Sequence, residues 1–481
     1  MTIRQTRRGF LTSALAASTV TATGALLTDG ATALAAGRGP DPVDAPWARA
    51  RWIREQVRGP RFPDRWFDVT AYGAQPDGVT DGTDAFRRAV EACNRAGGGH
   101  VVVPTGQFLT GPIHLLSRVD LHLTGGAHVL FRTDPDAYLP AVLTRFEGTE
   151  LYNYSPLIYA LDQHDIAVTG TGVLDGQADN DHWWPWSGAT RYGWDPGEPN
   201  ATPGKTRLRQ MADDGVPVEQ RRFGNGDHLR PSFIEPYRCS NVLVEGVTLH
   251  RSPMWEIHPV LSDHVLVRDV VIDTHGPNND GCDPESSRMV VIEGCSFDTG
   301  DDCIAIKAGR NSDGRRVHVP SEDVVVTGCR MEDGHGGVTI GSEMTGGVRN
   351  VFVSDCEMSS PNLDIALRFK TNSVRGGFIE GFHARDLSIG QVAGAVVDVN
   401  FFYEEGPGHG FNPVVGDINV QRVTVGTAGR ALNLRGYSDD HITGVHLSDV
   451  DFGTTANPSV VEYVDDLTLS NVTENGAPMT V

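Results

Sequence analysis

Five short segments repeat one pattern: Asn241 to Val247, His264 to Val270, Met289 to Cys295, Asp323 to Cys329 and Asn350 to Cys356. Each opens with a β-branched or leucine run and ends in a turn. Their last residues fall 23, 25, 34 and 27 positions apart. A hydrophobic run recurring at that period is the signature of a solenoid, in which each turn of chain stacks on the one before and no single turn buries its own apolar face. The runs are too short for helices and rich in Val and Ile, so they read as strands. The chain is therefore expected to be all-β, a right-handed parallel β-helix. Residues one period apart then lie one above another, about 4.8 Å between neighbouring strands.

That spacing makes the stretch His275 to Asp302 informative, because Asp280 and Asp302 stand 22 residues apart and come to lie on adjacent coils, with Asp301 beside them. Downstream follow His335, between glycines, and Arg368-Phe369-Lys370, where alternation places Arg368 and Lys370 on one face. The same alternation puts Ile304 and Ile306 inward and Cys303, Ala305 and Lys307 outward. Cleaving a glycosidic bond needs one carboxylic acid to protonate the leaving oxygen and a carboxylate to attack or to activate water. Three crowded Asp residues disfavour joint ionisation and keep a proton among them.

The net charge of −22 argues against nucleic acid as a partner. A polyanionic substrate would need a local cationic site in this acidic body, and Arg368 and Lys370 supply one. Seven cysteines without a Cys-x-x-Cys pair give no zinc signature. Cys295, Cys329 and Cys356 share one inward repeat position, which predicts a ladder of buried thiols.

Residues 1–35, with Arg7-Arg8, an Ala/Thr/Leu-rich run and Ala33-Leu34-Ala35, read as a twin-arginine secretory signal, too weakly apolar for a spanning helix. Export and cleavage would leave a secreted protein with no membrane attachment. Residues 36–65 read as a linker with a short helix near Trp47. Residues 66–481 read as one β-helix domain, expected to act as a monomer. Thr83 is expected to cap a helix bearing Phe86, Ala89, Val90 and Cys93, which would cover the open N-terminal end. Residues 177–230 interrupt the repeat with Trp183, Trp184, Trp186 and Trp194. Those rings pack on one another or wall a sugar-binding cleft, and both readings stay open. The chain after Asn475 is expected to be a loose tail.

The motifs Asn278-Asn279-Asp280, Gly300-Asp301-Asp302, Gly334-His335-Gly336 and Arg368-Phe369-Lys370 occur in an order that resembles the polygalacturonase family of glycoside hydrolases, from about Phe67 to at least Arg375. In that family the motifs read Asn-Thr-Asp, Gly-Asp-Asp, Gly-His-Gly and Arg-Ile-Lys, so Asn279 and Phe369 are departures. The segments from Ser252 to Pro259, Asp301 to Asn311 and Arg368 to Gly377 resemble bacterial members, several of them exo-acting. The resemblance implies an inverting hydrolase of α-1,4-galacturonosyl linkages in pectin or oligogalacturonate, needing neither metal nor other cofactor. Asp301 would be the general acid and Asp280 and Asp302 the holders of the attacking water. His335 would support the acid, while Arg368, Lys370 and Asn278 would contact substrate. The competing expectations are a hydrolase of rhamnogalacturonan or another decorated pectin, a calcium-dependent pectate-type lyase, and a carbohydrate-binding β-helix without catalysis.

Overall fold

A computed structural model describes residues 45–480; the secretory signal and the first part of the expected linker lie outside them. The repeats form three columns of parallel strands, the arrangement of a right-handed β-helix. The first column stacks Gly99–Val103, Val119–Leu123, His164–Gly170, Ser240–Glu245, Asp263–Arg268, Arg288–Glu293, Ser321–Thr327 and Val348–Ser354 in unbroken register. In a second column Thr248–His250, Val271–Thr274 and Ser296–Thr299 follow one another. The third column carries Ile304–Ile306, Val338–Gly341 and Leu367–Lys370, and continues through residues 397–400, 432–435 and 460–462.

Inward residues of all three columns make one continuous core from Val69 to Met479. Its inward stacks hold Cys295, Cys329 and Cys356, and all seven cysteines are buried and free. Helix α1 spans Ala45–Gln56 and helix α2 Thr83–Arg95. α2 places Phe86, Ala89, Val90 and Cys93 against the first coil, as a cover for its end.

Several expectations need correction. The stretch assigned to a linker is largely docked: α1 lays Trp47, Ala50 and Ile53 on Leu243, Leu266, Val291, Val325 and Phe352, the outward middle residues of the five repeats. Arg49 clamps it to Asp323 at 2.6 Å. Thr83 is the first residue of α2 and does not cap it; the Asp81 carboxylate accepts from its N–H at 2.9 Å, while its Oγ1 accepts from Gly111 N. Cys303 turns inward together with Ile304, because the chain bends between them and strict alternation begins only at Ile304. After Asn475 the chain folds back, with Thr473 and Glu474 paired antiparallel to Pro478 and Ala477.

Candidate active site

The acids sit in the tight bends that lead into the third column. Asp280 precedes Cys282, which bridges to Ile304; Asp301 and Asp302 precede Ile304; His335 precedes Val338. Two glycines keep these bends narrow. A Cβ on Gly300 would stand 2.4 Å from the Gly276 carbonyl, and one on Gly336 would stand 2.8 Å from Asp302 Oδ1. The three carboxylates consequently offer oxygens that all lie within 4.8 Å of one another.

Each acid has its own surroundings. Asp302 is fully buried and held by Lys370 Nζ at 2.6 Å, Thr339 Oγ1 at 3.0 Å and Arg368 Nη1 at 3.4 Å. Asp301 Oδ1 accepts from the Asp302 N–H and bonds His335 Nδ1, both at 3.0 Å, which leaves Oδ2 turned to the cleft. Burial opposes its charge, but the His335 bond and the nearby Lys370 and Lys307 hold Asp301 well below the usual carboxylate range. The same bond raises His335. Asp280 differs: burial, with the Asp301 charge next, pushes it up to about 7. Its Oδ2 lies 3.4 Å from Lys307 Nζ, and its Oδ1 has no hydrogen-bond partner among the described residues.

All seven expected site residues come together, six of them lining a cleft of about 310 Å³ and Asp302 buried beneath it. Asn278 lines it while accepting from Arg230 Nη2 at 2.7 Å. Asn279 turns away from the cleft. Its Oδ1 accepts from Thr274 and Gly276, and its Nδ2 donates to the Ser252 and Met254 carbonyls, so this departure fastens the bend beneath Asp280. Phe369 faces the core against Phe382, at 4.7 Å between ring centroids.

Several lining residues were not foreseen. Lys307, on the strand after Asp302, is buried between Asp280, Asp283 and Glu343 at 3.4–3.5 Å, beneath the Trp255 ring. Arg310 bonds Glu343 at 3.0 Å and Glu404 at 3.2 Å. Glu147, from the bend of a hairpin over Val142–Asn153, pairs with Lys205 at 2.5 Å and Arg209 at 3.0 Å. Burial would raise Glu147, but Lys205, Arg310 and Arg209 hold it at about 2. Lys205 and Arg209 belong to helix α3, Thr202–Asp213, within the Trp-rich insertion. The insertion thus walls the cleft with cations. Of its tryptophans, Trp183 and Trp186 stack edge to face and pack with Tyr154. One ion-pair chain, Lys205–Glu147–Arg310–Glu404–Arg375, crosses this side of the cleft.

Residues 220–472 match the model of glycosyl hydrolases family 28, and residues 66–128 match that of rhamnogalacturonase A/epimerase, pectate lyase-like. The fold is similar to the crystal structure of a hyperthermoactive exopolygalacturonase from Thermotoga maritima, with a TM-score of 0.86 and 46% identity over 90% of this chain and 97% of that one. A probable polygalacturonase of Vitis vinifera is 27% identical over 82% of this chain and 75% of its own length. An exo-poly-alpha-D-galacturonosidase of Dickeya chrysanthemi is 25% identical over 71% of this chain and 58% of its own length.

Proposed function

The chain belongs to glycosyl hydrolases family 28, and from that premise we propose that it removes galacturonate units from the ends of α-1,4-linked polygalacturonate. It is a glycosidase of the polygalacturonase type. The observation that carries the reading is one cleft in which Asp280 and Asp301, with Asp302 beneath them, stand beside Arg368, since a polyuronate needs both acids for cleavage and a cation for its own charge. Exo action is supported by the similarity to the Thermotoga maritima exopolygalacturonase and the Dickeya chrysanthemi exo-poly-alpha-D-galacturonosidase.

In the proposed reaction Asp301, held at Oδ1 by His335, takes a proton from solvent on Oδ2 and passes it to the glycosidic oxygen as the C1–O bond breaks. Water attacks C1 and gives its proton to Asp280, whose raised affinity for protons suits a base near neutrality. Asp302, pinned by Lys370 and Thr339, orients that water. Asp280 then releases its proton to solvent and Asp301 takes one up, which restores the starting state. Arg368 holds a galacturonate carboxylate with the donors that Asp302 leaves unused.

Single displacement inverts the anomeric carbon, and proton NMR of the first anomer released tests this. Residues 1–35 are proposed as the export signal of a secreted, monomeric enzyme acting on plant pectin.

The test is digestion of polygalacturonate by the mature protein in chelator, with Asp301→Asn in parallel. Saturated galacturonate released one or two units at a time, and lost in the variant by about 10²–10⁴-fold, is expected. Unsaturated products would mean elimination and discard the acid assignment. An early ladder of mid-length fragments would discard exo action.

A further inference from the structure

The acids stand at bends that lead into the third column. The first column has a feature of its own: α1 covers the outward face of its middle coils, and before them lies an open groove of about 660 Å³. Trp66, which begins the strand Trp66–Asp68, stands in that groove. The register sets His100 beside Trp66 and Asp120 beside His100. Two residues further along the strands it sets Thr169 beside His122 and Glu245 beside Thr169. Five successive strands therefore build one wall.

Trp66 is 59% exposed, yet its ring is fixed. It stacks on His100 at 4.5 Å and 20° and meets the His122 ring edge to face at 5.9 Å. His100 Nδ1 bonds the buried Asp120 at 2.7 Å, and Asp120 accepts from Thr169 Oγ1 at 2.8 Å, which anchors the stack from beneath. A lone exposed ring is ordinary. A ring held rigid in a groove rimmed by hydroxyls, imidazoles and carboxylates suits a ligand with one apolar face and a hydroxylated edge, as a pyranose has.

Charge selects among sugars. Asp120, Glu245 and Asp269 line this groove, and no lysine or arginine does so among the described residues, whereas six line the catalytic cleft. A uronate carboxylate is therefore repelled here. A neutral galactose fits: its axial O4 leaves the hydrogens of C3, C4 and C5 together on one face, for the indole, and its hydroxyls free for the acids.

We propose that this groove binds a neutral galactan chain, with Trp66 as the stacking platform. The site tethers the protein to the neutral part of a mixed polysaccharide while the cleft meets the acidic part. The binding stands whatever the cleft cuts; only the tethering rests on the polygalacturonase reading.

The test is affinity electrophoresis in native gels with and without β-1,4-galactan, for the wild type, Trp66→Ala, Trp66→Phe and Thr171→Arg, with hydrolysis of polygalacturonate measured in parallel. Thr171 is an exposed residue of the groove, and an arginine there fills the space without removing the Trp66 ring. The wild type is expected to be retarded by galactan. One aromatic stacking contact is worth about tenfold, so affinity is expected to fall about tenfold in Trp66→Ala and in Thr171→Arg and less in Trp66→Phe, with hydrolysis unchanged. No retardation of the wild type overturns the proposal, as does an affinity within twofold of wild type in Thr171→Arg or in folded Trp66→Ala. Release of the retardation by trigalacturonate also overturns it, by placing galactan in the catalytic cleft. So does a loss of hydrolysis that parallels the loss of binding, which marks a structural role. Galactan binding by a wild type that hydrolyses no polygalacturonate would remove the polygalacturonase reading and uphold this site.

Discussion

Arg368 and Lys370 share a strand face but not a situation. Lys370 is buried and spends its charge on Asp302, whereas Arg368 is the more open and holds Asp302 only at 3.4 Å. Lys370→Ala is therefore expected to leave Asp302 without its main partner and lower kcat by about 10²-fold or more. Arg368→Ala is expected to act chiefly on KM, by about tenfold. Steady-state kinetics on trigalacturonate separates them, and equal effects on both constants would deny the division. Asp280 gives a second residue-level prediction. A base pushed up to about 7 must lose its proton to work, so the acidic limb of the kcat/KM profile is expected near neutrality. Lys307 lowers Asp280, so Lys307→Met should move that limb to higher pH. A limb at about 4, the ordinary carboxylate range, would remove Asp280 from the role. For stability the sign runs the other way: folding raises Asp280, so its contribution turns unfavourable as pH climbs from the ordinary carboxylate range towards 7.

Among the elements, helix α1 is the one whose importance the sequence hid. Its docking was nevertheless written in the strands it covers. Leu243, Leu266, Val291, Val325 and Phe352 occupy outward positions where a solvated strand would carry polar residues, and together they make an apolar stripe that requires a cover. Trp47→Ala should uncover it and cost about 3 kcal/mol, seen as a lower urea midpoint; an unchanged midpoint would make the helix an ornament. The catalytic bends were legible because a fixed repeat turns spacing into adjacency, and the glycines at 300 and 336 mark where side chains have no room. The cleft wall was not. Glu147, Lys205 and Arg209 come from a hairpin and a helix outside the repeat, and nothing local ties a residue at 147 to others near 205 and 310. The cue at hand was weaker: Lys205, Arg207 and Arg209 stand close together within the interruption of the solenoid. Tryptophans drew attention there, although Trp183 serves the insertion's own packing.

At the scale of the molecule, a body of net charge −22 offers a polyanion a cleft in which Lys205, Arg209, Arg310 and Arg368 stand among the acids. The cleft must therefore attract locally what the surface repels at longer range. Added salt should screen the repulsion over about 10 Å or more at 0.1 M, while the buried pairs are screened less. Turnover of polygalacturonate is thus expected to tolerate, or rise with, moderate salt, as initial rates between 10 and 150 mM would reveal; a steep fall would mean that exposed cations dominate capture. The inward thiols carry a different consequence. Cys93 lies in the end-covering helix, Cys239 and Cys282 lie further along, and Cys295, Cys329 and Cys356 lie in the middle coils, all sealed from solvent and none cross-linked. They form a set of reporters already installed along the axis. Alkylation during slow unfolding, mapped peptide by peptide, would record whether the solenoid frays from its covered end or comes apart all at once, with no label added and no residue changed.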